Sequence, residues 1–515
     1  MVLKNLPRGL PYSTDPDKDK IPKAQWGLPE AILKSQNLKW DPSKFMLGSL
    51  NDQLIGLLDD RHICTVAGSR SGKGVSAIIP NLIHYQGSAL CIDPKGELAS
   101  ITARRRAVGL GQKVCVLDPF ERTAPWCAPY KVSFNPLSVL TPDNPTIVED
   151  AGLIADSLVV ASVGANVDPH WDESARALIE AVILHVITSP KYTHAKNLIT
   201  VYELLTRGSI YTYFDEEAQA ERQITGFLGL LLEMIENAGT VQNEDVALII
   251  EGTAIDMQDR GDKERGSVLS TVHRNIKFIG YCSIQQVLVD NPNPQARFSL
   301  EELKTSPAGM TIYLCLPAGR MGTCNRWLRL FINLTLERME RLGQKPPASG
   351  LPVLFVLDEF PILGHMRQIE DAAGQIASFH VKLWIVIQDL TQLQNLYEKR
   401  WQSFLGNCGI LQFFGNADLE TLEYIQKRLG KTPVRKRSQS VAAAKAVSDV
   451  SFSEEMHDLI TAEEAARFFS RDDRYRRQLV IWTGHDPMIL QRVVYYDKAS
   501  PLYQYFGGQY DEWQG

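Results

Sequence analysis

The chain has 515 residues, 44% of them hydrophobic and 22% charged, which is enough for two or three packed domains. Its formal net charge of −6 excludes a protein that coats nucleic acid through a globally basic surface, so nucleic acid would have to bind local patches or an oligomeric channel. No stretch reaches about 18 uninterrupted apolar residues, and the N-terminus lacks the apolar core of a signal peptide. These features predict a cytoplasmic protein.

The first part of the chain predicts an arm that leads into an α/β domain. Residues 1–45 are rich in Pro, Asp and Lys and have weak periodicity, which indicates an N-terminal arm. Between 46 and 145, the strand-like runs HICTVA, SALCIDP and KVCVLDP alternate with helical patterns. This alternation is typical of a parallel sheet and predicts the first part of a nucleotide-binding domain.

The first of these strands continues into a loop with the composition of a phosphate-binding site. Gly72 and Lys73 stand at a helix start, where backbone N–H groups, the positive end of the helix dipole and a flexible ammonium can meet a polyphosphate. Two residues depart from the usual pattern. Ala67 stands where the first glycine is usual, and Gly74 stands where a Ser or Thr hydroxyl would reach magnesium. Taken alone, the loop could be an ordinary turn with a helix cap. The candidate nucleotide-binding residues are Ser69, Arg70, Ser71, Gly72, Lys73, Gly74 and Val75.

The middle of the chain predicts a helical insertion. From 146 to 280 the strand pattern nearly disappears and apolar residues recur at helical spacing, which predicts an all-α domain. The α/β pattern resumes with TIYLCLP and continues to QLVIWTG, so residues 281–515 complete the nucleotide-binding domain. Residues 434–455 have a basic cluster and no core pattern, and they are predicted to form a mobile loop.

A second motif places acids beside the predicted phosphate loop. Val353 to Leu357 is a continuous apolar run, typical of a strand buried on both faces, and it delivers Asp358 and Glu359 to the carboxyl edge of the sheet. One acid can hold magnesium and its neighbour can orient water, although a solvated acid pair at a strand end is the alternative. Gln388 ends the KLWIVIQ strand and could reach the γ-phosphate or the attacking water, or it could simply cap the strand.

Several blocks resemble the coupling-protein ATPases of type IV secretion and conjugative DNA transfer, the TraG-like group. In order over roughly residues 45–497, they are GSRSGKGVSAIIPNL, CIDPKGEL, SFNPL, DPHWDESARALI, LDEFPILG, VIQDLTQL and FFGNADLETLEYIQKRLG. The resemblance implies an α/β fold, a RecA-like P-loop NTPase domain with a central mostly parallel sheet and an inserted all-α domain. It also implies a homo-hexameric ring that uses ATP hydrolysis to drive single-stranded DNA with its relaxase, or an effector protein, into a secretion channel.

The resemblance assigns roles to individual residues, with ATP and Mg²⁺ as cofactors. It implies that Lys73 binds the β and γ phosphates, that Asp358 binds magnesium, that Glu359 acts on the catalytic water and that Gln388 senses the γ-phosphate. It further implies an arginine supplied by a neighbouring subunit. The candidates for that arginine are Arg326 and Arg329.

One departure from the family leaves the partners open. Typical members carry N-terminal transmembrane helices and none is visible in this sequence, so docking at the inner membrane would need a separate membrane anchor. Two alternatives to a transfer motor remain at this point. One is a nucleotide-regulated platform that recruits proteins, and the other is a soluble DNA-pumping ATPase.

Overall fold

The computed structural model describes residues 24–160, 169–441 and 448–506. Its strands are β1 Phe45–Leu50, β2 Gln53–Leu57, β3 His62–Ala67, β4 Ala89–Asp93, β5 Lys113–Leu117, β6 Ser209–Asp215, β7 Ala220–Gly226, β8 Met310–Cys315, β9 Val353–Leu357, β10 Val381–Ile387, β11 Cys408–Phe414, β12 Lys431–Val441, β13 Ser448–Asp458, β14 Arg477–Trp482 and β15 Met488–Gln491. Its α-helices are α1 Pro29–Lys34, α2 Ile79–His84, α3 Glu97–Arg104, α4 Ile147–Leu158, α5 Pro169–Thr188, α6 Leu198–Arg207, α7 Phe227–Ala238, α8 Glu244–Asp259, α9 Asp262–Ile276, α10 Cys282–Gln285, α11 Glu302–Thr305, α12 Ala318–Arg341, α13 Arg367–Gln375, α14 Leu390–Tyr397, α15 Trp401–Gly406, α16 Leu419–Leu429, α17 Ala462–Phe468 and α18 Pro501–Phe506.

An 11-stranded sheet forms the centre of the molecule, in the order β2-β1-β15-β14-β11-β3-β10-β9-β4-β8-β5. The strands from β11 to β5 are parallel, whereas β14, β15, β1 and β2 extend the sheet in antiparallel pairs. β3, β9, β10 and β11 are buried along their whole length, because helices and loops cover both faces of the sheet. The predicted α/β class and its central mostly parallel sheet are therefore confirmed.

In the described part of 146–280, helices predominate, with one hairpin that the sequence pattern did not indicate. α5 lies at its centre and contacts α4, α6, α7, α8 and α9. The hairpin pairs β6 with β7 and is fastened at its base by Glu233, which accepts hydrogen bonds from Tyr192, Lys191 and Ser209. Burial alone would raise the pKa of the Glu233 carboxyl. These hydrogen bonds, together with one from His185, outweigh that effect and lower the pKa to about 2. The hairpin depends on contacts distant in sequence, and a helical periodicity cannot reveal them.

The long helix α12 joins this helical region to the sheet. It packs against α4 and also contacts the 3₁₀ turn Phe360–Leu363 after β9. Asn333 on α12 donates to Ser157 on α4 across 2.9 Å within the core. The helical region and the sheet consequently share one apolar core.

Two further segments differ from a simple reading of the sequence. Residues 434–455 were expected to be a loop, but the described part forms most of an antiparallel hairpin, β12 with β13, while 442–447 lie outside the described residues. In the predicted arm, the described residues include α1, and Trp26 and Trp40 are buried. Within the three described ranges, no helix combines the length and apolar character that a membrane crossing needs.

Candidate active site

The predicted phosphate loop connects β3 to a helical turn at the carboxyl edge of the sheet. Gly72 has a φ of +87°, a conformation that favours glycine, and it directs the chain into the π-helical turn Gly74–Ile78. The Ser76 hydroxyl donates to the Gly72 carbonyl at 2.7 Å and closes the first turn. A Cβ added to Gly74 would meet no atom within 4 Å, so the entrance of the helix is open where a phosphate group would bind.

Side chains from three neighbouring strand ends converge beside this loop. Lys73 follows β3, Asp358 and Glu359 follow β9, and Gln388 follows β10, which lies between them in the sheet. Lys73 Nζ donates to Glu359 Oε1 at 2.5 Å and lies 3.6 Å from Asp358 Oδ1. Gln388 Nε2 donates to Glu359 Oε2 at 3.1 Å. The structure thus brings together four residues that are spread along the sequence from position 73 to position 388.

Two acids at this edge of the sheet, Asp358 and Asp93, have pKa values raised by the loss of water around them. Burial raises the pKa of Asp358 to about 6, against the attraction of Lys73 and with the repulsion of Glu359. Burial also raises the pKa of Asp93, at the end of the adjacent strand β4, to about 7. Asp93 accepts the backbone N–H groups of Glu97 and Ala99, so its carboxylate braces the start of α3 beside the site. A cation bound at Asp358 would favour the charged form of its carboxylate.

A magnesium-bound nucleotide fits this donor set. Across the described residues, no group of three His, Cys, Asp or Glu side chains is arranged to hold a metal ion by itself. Mg²⁺ commonly binds through one or two carboxylates together with substrate phosphates and water, which is what Asp358 beside a phosphate loop offers. Lys73 and the free N–H groups of the loop are suited to the phosphates. Bound Mg²⁺ would supply charge neutralisation between the phosphate oxygens.

Two glycines that sequence reasoning missed determine where the phosphate loop lies. A Cβ on Gly68 would stand 1.9 Å from the carbonyl oxygen of Gly415, the residue that follows β11. A Cβ on Gly415, whose φ is +66°, would stand 2.5 Å from the Cβ of Ser71. The phosphate loop therefore packs directly on the backbone after β11. The block FFGNAD carries this signal, since it supplies a glycine immediately after a buried strand.

Arg492 was also missed, and it supports the same loop beside the end of β11. It is 7% exposed, and its guanidinium donates to the Ser71 carbonyl at 2.5 Å and lies 5.0 Å from the centre of the Phe414 ring. Its Nε donates to the carbonyl of Arg476 at 3.3 Å. Arg492 follows the last strand of the sheet, so only the fold brings it to a loop that lies 421 residues earlier.

Arg329 is buried against the turn after β9, so its position does not favour the role of an arginine supplied in trans, which stays a prediction. It is 7% exposed, and its Nη1 donates to the carbonyls of Leu363 and His365 at 2.9 and 2.8 Å. Burial lowers its pKa to about 10. Arg326 is half-buried and donates to Asn275 at 3.2 Å. Arg326 and Arg329 lie on α12, about one helical turn apart. The 3₁₀ segment Phe360–Leu363 after β9 covers Arg329.

The remaining loop residues differ in exposure. Ser69 and Arg70 are exposed, whereas Ser71 is buried and its hydroxyl makes no hydrogen bond to the described residues. The carbonyl of Val75 accepts the N–H of Tyr495 at 3.2 Å. Ser69 and Arg70 therefore face solvent, whereas Ser71 and Val75 are held by contacts with the rest of the fold.

Comparison with known proteins identifies the relatives of this arrangement. A family model described as type IV secretory system conjugative DNA transfer matches residues 17–511. The conjugal transfer protein TraG of Escherichia coli is 25% identical over 418 residues, which cover 79% of this chain and 61% of TraG. Protein VirD4 of Agrobacterium fabrum is 27% identical over 445 residues, which cover 84% of this chain and 58% of VirD4. The chain therefore spans about 60% of the length of these curated relatives.

Solved structures of the bacterial conjugative coupling protein TrwB have the same fold. The trigonal form of TrwBdeltaN70 in complex with sulphate superposes with a TM-score of 0.58 at 14% identity, covering 92% of this chain and 96% of that structure. TrwB in complex with ADP and Mg²⁺ superposes with a TM-score of 0.53 at 14% identity, covering 84% and 85% of the two chains. The likeness shows that this chain has the RecA-like P-loop NTPase fold.

Proposed function

We propose that this chain, which belongs to the family of type IV secretory system conjugative DNA transfer proteins, is a coupling ATPase of a transfer apparatus. It recruits a substrate, either single-stranded DNA with its relaxase or an effector protein, and uses ATP hydrolysis to drive transfer. The working form is a homo-hexamer that contacts the channel components of a type IV secretion system. Attachment to the inner membrane occurs through such partners.

The observation that carries this proposal is the convergence of Lys73, Asp358, Glu359 and Gln388 at one edge of the sheet. The contact of 2.5 Å between Lys73 and Glu359, with Asp358 at 3.6 Å, supports a site in which an ammonium and a metal-binding carboxylate act on the same phosphates. Glu359 would accept a proton from the attacking water, and Gln388, hydrogen-bonded to Glu359, would orient it. Lys73 would stabilise the charge that develops on the γ-phosphate.

The first test is the steady-state ATPase activity of the purified chain with and without single-stranded DNA, with assembly followed by light scattering in the same samples. A motor gated by DNA is expected to show faster hydrolysis and a larger assembly when DNA is added. Lys73→Ala should remove turnover without unfolding the chain, because Lys73 lies on the partly exposed edge of the site. Absence of turnover in the parent protein under both conditions would contradict the ATPase.

The same experiment separates the motor from a recruitment platform. Hydrolysis and assembly that are indifferent to DNA, together with tight binding of a protein substrate, would favour the platform. In that case the nucleotide would set only the assembly state.

A further inference from the structure

Glu359 has a backbone conformation that the surrounding structure must hold in place. Its φ of +54° and ψ of +45° lie in the left-handed region, which residues with a Cβ rarely occupy without such restraint. The chain then passes through the 3₁₀ segment Phe360–Leu363 and leaves it at Gly364, whose φ is +67°. The direction of the Glu359 carboxylate toward Lys73 and Gln388 therefore depends on what fixes this turn.

The apolar side of the turn is fixed by Phe360, the residue after Glu359. Its ring is fully buried and stacks on the Tyr397 ring with 6.0 Å between centres, and the Phe404 ring lies at the same distance. Aromatic packing holds this side chain, but it supplies no donors for the backbone carbonyls of the turn. The last carbonyls of a short helical segment have no partner within it, so they need donors from elsewhere in the fold.

Two side chains of α12 supply those donors. Asn325 Nδ2 donates to the Ile362 carbonyl at 3.3 Å. Arg329 Nη1 donates to the carbonyls of Leu363 and His365 at 2.9 and 2.8 Å. Asn325 and Arg329 are four residues apart and so lie on the same face of the helix. Among the described residues Arg329 donates to no other group, so every hydrogen bond of this buried guanidinium goes to the turn that follows Glu359.

We propose that Arg329 is a positioning residue for hydrolysis, which acts within its own subunit by holding the turn that aims Glu359 at the attacking water. Asn325 is the weaker second contact. A general base must lie within hydrogen-bond reach of the proton that it accepts, and a misplacement of about 1 Å can lower the rate about 10²-fold. Arg329 itself touches neither phosphate nor water in this role. The inference rests on the proposed function, because it concerns the residue that acts on water in that same site.

The test combines the ATPase activity of the full chain at saturating ATP with calorimetric titration of a non-hydrolysable ATP analogue in the presence of Mg²⁺. Arg329→Met is expected to lower kcat about 10²-fold. The analogue should bind at least as tightly as in the parent, because the phosphate loop and Lys73 are unchanged. Arg329→Lys should restore most of kcat, since a single nitrogen makes both bonds to the turn and an ammonium has three donors.

Two further variants keep the test independent of folding defects. Asn325→Ala, at a half-buried position, should lower kcat about fivefold through the loss of one neutral hydrogen bond, and it carries the test if Arg329→Met does not fold. Asn333→Ala is the matched control. Asn333 lies one turn further along α12 and is 5% exposed, but its amide donates to Ser157 on α4. This control should lose stability in urea and keep the kcat of the parent.

Combining Arg329→Met with Glu359→Gln separates positioning from a direct role. Because the effect of Arg329 passes through Glu359, the double variant should hydrolyse ATP in a single turnover at the rate of Glu359→Gln alone. A further loss of about 10²-fold would overturn the proposal and favour an arginine that acts directly on a neighbouring subunit's nucleotide. The proposal would also be overturned by an unchanged kcat in folded Arg329→Met or in Asn325→Ala, or by weaker binding of the analogue. A parent protein without turnover would instead refute the proposed function.

Discussion

Replacing Glu359 with Gln is expected to tighten nucleotide binding while it slows hydrolysis. Lys73 already donates to Glu359 at 2.5 Å, so a phosphate that takes this ammonium must displace the carboxylate. A hydrogen bond between charged groups contributes about 1.5–3 kcal/mol. The two side chains are 17% and 25% exposed, and Lys73 keeps Asp358 at 3.6 Å, so we expect a net release of about 1 kcal/mol. That corresponds to about fivefold tighter binding.

Hydrolysis in the same variant should fall by about 10²–10⁴-fold, because an amide cannot accept the proton of the attacking water. The assay combines calorimetric titration with a non-hydrolysable ATP analogue and single-turnover hydrolysis of ATP. Glu97→Gln is the matched control, since Glu97 is 23% exposed near the same sheet edge but pairs with Lys95. Unchanged or weaker nucleotide affinity in Glu359→Gln would refute the idea that the carboxylate and the phosphates compete for Lys73.

Three other perturbations have defined outcomes. Burial raises the pKa of Asp358 to about 6, so protons should compete with Mg²⁺ for its carboxylate below that pH. Metal-dependent nucleotide binding, measured by calorimetry, should then weaken by up to about tenfold per pH unit. The Asp358→Asn variant should lack this pH dependence. Gly68→Ala should lower the melting temperature and nucleotide affinity, because its Cβ meets a backbone carbonyl at 1.9 Å, whereas Gly252→Ala, with open space, should not. Arg329→Met should lower the free energy of unfolding in urea by about 2–4 kcal/mol, because the buried carbonyl of Leu363 and the partly buried carbonyl of His365 lose their donor. Unchanged stability with lost ATPase activity would contradict a structural role.

The sheet was predictable because its central strands are buried on both faces. Such strands appear in the sequence as continuous apolar runs, and the runs at β3, β9 and β10 are strands in the structure. The hairpin of β6 and β7 was not predictable in the same way. β6 alternates between exposed and half-buried positions, β7 is mostly exposed, and the base of the hairpin is held by Glu233 on the helix that follows it. Stabilisation by distant polar contacts leaves no periodic signal.

The positions of the residues at the ends of strands were predictable, whereas the burial of a helical side chain was not. Asp358 and Glu359 directly follow an apolar run, so the parallel sheet alone brings them to the edge that holds Lys73. Arg329 lies on a helix whose polar positions give no indication of depth. The 3₁₀ turn after β9 covers it, and that turn is placed by tertiary packing. Local pattern therefore indicated which residues meet at the strand ends, but it did not reveal that Arg329 is buried.

The residues that were missed link the two ends of the site. Gly415 packs against Ser71 in the phosphate loop, and the side-chain amide of Asn416 donates to the Gln388 carbonyl at 3.3 Å. Gln388 in turn donates to Glu359 at 3.1 Å. The turn after β11 thus touches both the phosphate loop and the residue that holds Glu359. Because interiors are closely packed, a substitution in the turn at 415–416 is expected to disturb both the phosphate loop and the position of Gln388 beside Glu359.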